Sequence, residues 1–355
     1  MEFIVCFFCA INHENLKYDR NYQLKYFPSA SGIRGIAVLL VLFAHSFVLY
    51  YPEHSDYMRG SGKVGVWLFF ILSAFLLSHK LNGIDLTSRS LASYLIGRSL
   101  RILPMFIIAV SIYYFMGYYD FQKMIDISIF RDTFFHLWTI PVEFKFYFFL
   151  PIVSYAFFFA QRKFGNIAVI IASGIFIWVI QLWWPYYMTP SNSIDVTWYV
   201  PCFLLGVVGS VIYMDIQNLL TVRLVNTISA MSIFIIFMFY PSVRNLLTGG
   251  DSRTDITNMF IPIGLVWTIF VVACISGRGL LGSLLQNVII RKVGEWSFSI
   301  YLFHFIALST LSQFKFGKPV SVFITILASI LIGAIAFYLI ESRIEKVRAK
   351  IAKLM

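Results

Sequence analysis

Charge is scarce in this sequence. Only 13% of its 355 residues are Asp, Glu, Lys or Arg, about half the share of an ordinary soluble domain, and this excludes a water-soluble globular fold with a usual surface. Acidic residues are the rarer sign, 17 against 28 Lys and Arg. There are four cysteines. Cys6 and Cys9 form a C-x-x-C with no second pair or histidine cluster beside it, and Cys202 and Cys274 lie in apolar stretches. That pattern argues against a metal or redox site, so no metal is expected and all four are read as free thiols. No internal repeat, low-complexity tract or long linker is present, which argues against a solenoid or a multidomain chain. No G-x-S-x-G or other nucleophile signature surrounds Ser73. The first ten residues are apolar, but they are short and carry Glu2 in place of a basic segment, which does not fit a cleaved signal peptide.

What the chain has is apolar and aromatic side chains: 59% hydrophobic residues, with 37 Phe and 20 Tyr, at a mean hydropathy of +0.79. Ten apolar segments are predicted, near 33–51, 64–80, 102–119, 142–160, 166–185, 197–215, 224–241, 258–276, 295–312 and 320–340. The expected fold is therefore an all-α integral membrane protein, a bundle of about ten transmembrane helices that fills the chain. An even number of spans puts both termini on one side. Of the 28 Lys and Arg, 18 fall in loops on that side and 8 in the opposite loops, with Arg34 and Lys145 inside spans. The bias puts both termini in the cytoplasm. It also accounts for the net charge of +11 as a topology signal, without nucleic acid as a partner. Trp and Tyr at span ends, as in Trp183-Trp184-Pro185-Tyr186-Tyr187, fit an interfacial belt. The division expected is a cytoplasmic N-terminal segment (1–27), a membrane domain (28–343) and a basic cytoplasmic tail (344–355).

Against this apolar background a few polar residues stand out. Arg34 and His45 lie in one span, and a cation or an imidazole inside a span is a functional candidate. Eleven residues at about 100° and 1.5 Å each return to nearly the same helix face, about 16 Å further along. Arg34 then opens the span at its cytoplasmic end, with His45 past the midplane. Arg98 and Arg101, at i and i+3, share one face of a helical turn just before the third span. They read either as topology anchors or as a phosphate clamp, since a guanidinium offers phosphate a bidentate fork. Glu143 sits at the outer end of the fourth span and must face protein, water or a cation. It is read as a partner that orients or charges His45, or as half of a structural ion pair. Lys145, two residues on, points elsewhere on the helix. His304 and Ser73 are read as hydrogen-bonded structure or as chemistry, His79 as interfacial, and Glu341 as a helix-end charge before Arg343.

In order along the chain, these residues resemble the membrane acyltransferase-3 family, whose members include bacterial surface-polysaccharide O-acetyltransferases. Arg34 and His45 match the family's Arg-x10-His. Gly65 to Phe75 match its Gly-Val-x-Leu-Phe-Phe-x-Leu-Ser-Gly-Phe. Arg98, Arg101, Ile102 and Pro104 match Arg-x-x-Arg-Ile-x-Pro. Leu137, Trp138, Glu143, Phe146 and Tyr147 match Leu-Trp-Ser-Leu-x-x-Glu-x-x-Phe-Tyr. Ser297, Tyr301, Leu302 and His304 match Ser-Tyr-x-x-Tyr-Leu-x-His. The sequence departs from the pattern at Ala74 for Gly, Phe298 for Tyr and Thr139-Ile140-Pro141 for Ser-Leu-Ser. A C-terminal hydrolase-like domain found in some members is not expected.

The resemblance implies an O-acetyltransferase of the bacterial inner membrane, multi-pass and bedded in lipid. The implied donor is cytoplasmic acetyl-CoA or another acyl-CoA, and the acceptor a hydroxyl of an extracytoplasmic or lipid-linked glycan such as lipopolysaccharide O-antigen. The implied roles are Arg98, Arg101 and Arg34 on the CoA phosphates and His45 as base with Glu143 orienting it, or His45 as a transient acyl carrier. Arg34 equally fits helix packing. The rival class is a proton-coupled transporter of a small metabolite or glycan precursor. It would use Arg34, His45 and Glu143 as a path, but no paired half-repeats are present.

Overall fold

The computed structural model describes residues 27–354, apart from 83, 85, 86, 250–255, 315 and 316. Cys6, Cys9, Arg253, Lys315 and nearly all of the expected N-terminal segment lie outside the described residues. Every described element is helical. In chain order the α-helices are α1 (Ala30–Tyr50), α2 (Ser61–Leu81), α3 (Ser88–Phe115), α4 (Phe121–Ser128), α5 (Thr139–Trp183), α6 (Val200–Ile216) and α7 (Val222–Phe239). They continue with α8 (Pro241–Thr248), α9 (Phe260–Cys274), α10 (Gly279–Leu284), α11 (Val288–Glu295), α12 (Ser297–Leu311), α13 (Lys318–Ala336) and α14 (Ser342–Leu354).

Each of the ten expected segments overlaps a helix, yet only seven described helices are long and apolar enough to cross a membrane. Two physical reasons account for the difference. The expected segments 142–160 and 166–185 run together in the 45-residue α5, interrupted by Gly165 at φ 80° and ψ 176°. Nothing lies near enough to crowd a side chain at Gly165, so the left-handed backbone alone calls for glycine there. Helices α9 and α12 are apolar but hold 15 residues each, short of the ~20 a straight crossing needs.

Helix α2 is the centre of the bundle. Fifteen of its 21 residues are buried, and it packs on α1, α5, α6 and α9. A helix apolar all round belongs in such a position. Its Trp67, Phe70, Ile71 and Phe75 are nearly inaccessible, and Phe70 stacks on Phe203 of α6, which stacks in turn on Phe146 of α5. By contrast, the half of α5 after Gly165 turns Ile167, Ile171, Trp178 and Leu182 outward, as a lipid-facing helix does.

Close backbone approach fixes the start of α1. A side chain on Gly294 would lie 1.7 Å from the Ser31 carbonyl oxygen, and one on Gly32 would lie 1.9 Å from that of Leu285. Small residues let membrane helices touch in this way. With Gly35, where a side chain would lie 2.4 Å from the Ile290 carbonyl oxygen, the contacts hold α1 against α11 and the turn before it on either side of Arg34. At the far end, Phe337–Glu341 form a π-turn between α13 and α14. The residues expected as a basic tail instead continue as α14, which packs on α3. Cys202 and Cys274 are free and buried.

Candidate active site

Arg34, Arg98, Arg101 and Glu143 line one cavity, together with Ser73, Tyr147, Thr139, Glu295, Ser297 and Tyr301. Its volume is about 80 Å³, room for several waters at roughly 10–15 Å³ each. The arginines arrive from two directions. Helix α1 brings Arg34, held by the α1–α11 contact, and α3 brings Arg98 and Arg101 on one face. Helix α3 is fixed at its start by a capping box of Thr87 and Ser90, which satisfies end amides that no helical carbonyl reaches. Among the described residues, none of the three guanidinium groups has a hydrogen-bond or ion-pair partner. Three guanidinium groups without hydrogen-bond partners outnumber the two carboxyls, Glu143 and Glu295, in the cavity lining. The arrangement suits an anion with several oxygens, because each guanidinium must recover bonds it gave up on leaving water.

Glu143 lies in that cavity and not beside His45. Ser73 Oγ donates to its Oε1 at 2.6 Å, and the Tyr147 hydroxyl donates to the same oxygen. The expected Glu143–His45 pair is therefore corrected. Helix α5 turns Glu143 toward α2, where two hydroxyls take up one carboxylate oxygen. Ser73 serves here as a hydrogen-bond donor to a neighbouring helix. Lys145 points away, as its spacing predicts, and donates to the Ile194 carbonyl at 3.0 Å.

His45 meets a different partner. Its Nδ1 lies 2.9 Å from Nε2 of His304, and the two rings stack at 5.2 Å. Nδ1 of His304 lies 2.7 Å from the Tyr301 carbonyl oxygen. His136 completes the cluster, its ring 4.4 Å from that of His304 and its Nε2 3.1 Å from the Leu302 carbonyl. Phe135 packs on His45 with ring centres 5.3 Å apart, and its φ is 46°. A bulky residue in the left-handed region is costly, and such strain gathers at functional sites. Sequence reasoning missed His136 as a neighbour and left His304 undecided. The one signal available was that both sit inside apolar runs.

Tyr301 joins the two clusters. Its side chain lines the arginine cavity, accepts from Thr139 Oγ1 at 3.0 Å and donates to the His136 carbonyl at 2.6 Å. Its own carbonyl receives His304. Two other residues depart from expectation. His79, expected at the membrane interface, is buried within the protein against Phe27, Phe75 and Tyr213. Glu341 is not a solvated helix-end charge; it is buried in the π-turn and accepts from Ser299 Oγ at 2.5 Å. No group of three or more metal-binding side chains occurs among the described residues.

The family described as "Acyltransferase domain" matches residues 27–339, a stretch that contains every residue of the arginine cavity and of the histidine cluster. The chain belongs to the acyltransferase-3 family. Its apolar helices and this family make it an integral membrane protein. Similar proteins include three named "Putative O-acetyltransferase" in Staphylococcus aureus strains COL, MSSA476 and MRSA252. Each is 21% identical, and the match takes in 93% of this chain and 59% of the relative. The chain thus spans about three fifths of the length of the relatives it matches. No solved structure matches it.

Proposed function

We propose that this family member is a membrane O-acetyltransferase that moves an acetyl group from acyl-CoA on the cytoplasmic side to a hydroxyl of an extracytoplasmic or lipid-linked glycan. The observation that carries this reading is the arginine cavity. Arg34, Arg98 and Arg101 face one space without a hydrogen-bonded acid partner, three cations against the carboxyls of Glu143 and Glu295 that also line it. Tyr301 connects that space to the His45–His304 pair. The phosphates of CoA satisfy the arginines, and the thin pantetheine arm runs along α1 toward His45, about 16 Å on by helical rise.

In the transfer, Nε2 of His45 takes the proton of the acceptor hydroxyl as its oxygen bonds to the thioester carbon. The carbon–sulfur bond breaks, and the CoA thiolate leaves with a proton as the thiol. Glu143 acts away from the base, shaping the donor cavity through Ser73 and Tyr147. Counted over the ten expected segments, the bias of 18 against 8 Lys and Arg in the loops favours both termini in the cytoplasm. The acyltransferase-3 family, with its bacterial relatives, favours a bacterial cytoplasmic membrane. Lipopolysaccharide O-antigen is one acceptor of the required chemistry.

The test uses purified protein in lipid vesicles with labelled acetyl-CoA and extracted surface glycan. Label is expected to appear covalently on the glycan. A positioned base contributes about 10² to 10⁴-fold, so His45→Ala is expected to lose that much transfer while its thermal unfolding stays intact. Movement of acceptor across the bilayer with no covalent label, or wild-type transfer by His45→Ala, refutes the proposal.

A further inference from the structure

An imidazole acts as a base through one nitrogen, and the bond made by the other nitrogen decides which one. The bonds around His45 can be followed from their far end. The Tyr301 carbonyl oxygen only accepts, so Nδ1 of His304, 2.7 Å away, carries a hydrogen. His304 is fully buried, two imidazoles touch its ring, and among the described residues no carboxylate hydrogen-bonds or ion-pairs with it. A charged His304 would be a buried ion without a counter-charge, which is costly. Neutral His304 therefore presents a lone pair at Nε2, and His45 Nδ1, at 2.9 Å, must bring the hydrogen. That leaves Nε2 of His45 as the bare nitrogen. It faces Gly62, where an added side chain would sit 3.2 Å away, so glycine keeps that side of the ring clear. Phe135 packs on His45 as His304 does, and together they hold the ring.

We infer that His304 is the positioning residue for His45: through Tyr301 C=O···H–Nδ1 of His304 and Nε2···H–Nδ1 of His45, it fixes His45 as the Nδ1–H tautomer with Nε2 as proton acceptor. The inference rests on the reading of His45 as the base. During transfer Nε2 takes the acceptor proton, and Nδ1–H of the resulting imidazolium keeps its bond to the His304 lone pair. His304 thereby does with a neutral ring what a carboxylate often does for a catalytic histidine.

Nitrogen-15 NMR on histidine-labelled protein in lipid nanodiscs reads the tautomer directly, with His45 assigned by its loss in His45→Gln. Wild-type protein is expected to show Nδ1–H with bare Nε2. His304→Leu, of similar bulk but without an acceptor, is expected to lose that preference and to lower kcat by about 10² to 10⁴-fold, the range a positioned base supplies, with KM for acetyl-CoA unchanged. His304→Gln, whose amide oxygen restores an acceptor, is expected to recover part of both. An Nε2–H tautomer in the wild type overturns the inference without any variant having to fold. So does equal impairment of His304→Leu and His304→Gln with the tautomer unchanged. Protein that transfers no acetyl group, yet shows Nδ1–H that is lost in His304→Leu, upholds this inference and overturns the acetyltransferase reading alone.

Discussion

Replacing Arg98 or Arg101 by Ala probes the cavity most directly, because neither guanidinium has a protein partner to orphan. Hydrogen bonds to charged groups are worth about 1.5–3 kcal/mol each, and a tenfold change in affinity corresponds to about 1.4 kcal/mol. Each substitution is therefore expected to raise the apparent KM for acetyl-CoA by about 10- to 100-fold. Both Arg98 and Arg101 share the cavity with Arg34, so removing one also relieves repulsion, and the thermal unfolding midpoint is expected to hold or rise. Steady-state transfer rates against donor concentration supply the measurement. The control is acetyl-pantetheine, a donor with the thioester arm but no phosphate. The alanine variants and the wild type are expected to use it about equally. If the variants lose as much activity on acetyl-pantetheine as on acetyl-CoA, the arginines do not hold phosphate. An unchanged KM for acetyl-CoA returns them to the role of topology anchors.

Glu143→Ala removes the acceptor that Ser73 and Tyr147 share. Those hydroxyls lie 2.8 Å apart and can bond each other, so one hydroxyl loses its acceptor, at about 1–3 kcal/mol; a drop of a few degrees in the unfolding midpoint is expected, and an unchanged midpoint counts against the bonds to Glu143. Gly294→Ala places a methyl group 1.7 Å from the Ser31 carbonyl and must push α1 from α11, at about 1–3 kcal/mol for overpacking. Gly97→Ala, with open space at that position, serves as its control and is expected to be neutral or to stabilise α3 by up to about 1 kcal/mol. Outside the spans, the Lys318 ammonium beside Glu53 holds that carboxyl below its ordinary value of 4.5. The folded pKa is the lower one, so the pair's stabilisation is present above about pH 4.5 and fades as pH falls through the folded value. Glu53→Gln is expected to remove that acid-side loss from unfolding curves and to leave neutral pH almost untouched, since exposed pairs contribute little.

Helical periodicity made some of the site legible. The i, i+3 spacing put Arg98 and Arg101 on one face, and both line the cavity. Charges inside apolar runs singled out Arg34, His45, Glu143 and His304 before any contact was known. Depth along the span could be read, but not direction around the helix. Glu143 and His45 were matched by depth, whereas packing of α5 on α2 rotates Glu143 toward Ser73, 70 residues away in sequence. Contacts between helices depend on which faces meet, and an apolar helix with little amphipathic bias gives few cues to that. The same limit hid the His45–His304 bond, which spans 259 residues. The segments themselves were clear because hydropathy reports length and polarity. Whether a neighbouring pair is interrupted by a full loop or by a single residue such as Gly165 lies below the resolution of a hydropathy window.

The π-turn at Phe337–Glu341 has a consequence for how this chain tolerates length changes. A π-turn is an α-helix with one residue too many, and removing one residue rewinds it to regular pitch. A single deletion there would leave the helix continuous but turn everything beyond it by about 100°. Glu341 would swing away from Ser299, and α14 would present a different side to α3. One codon in this stretch thus works as a rotary setting for the C-terminal helix. Single-residue deletions across 337–341 should leave the protein inserted and helical while re-aiming α14 against the helix that carries Arg98 and Arg101.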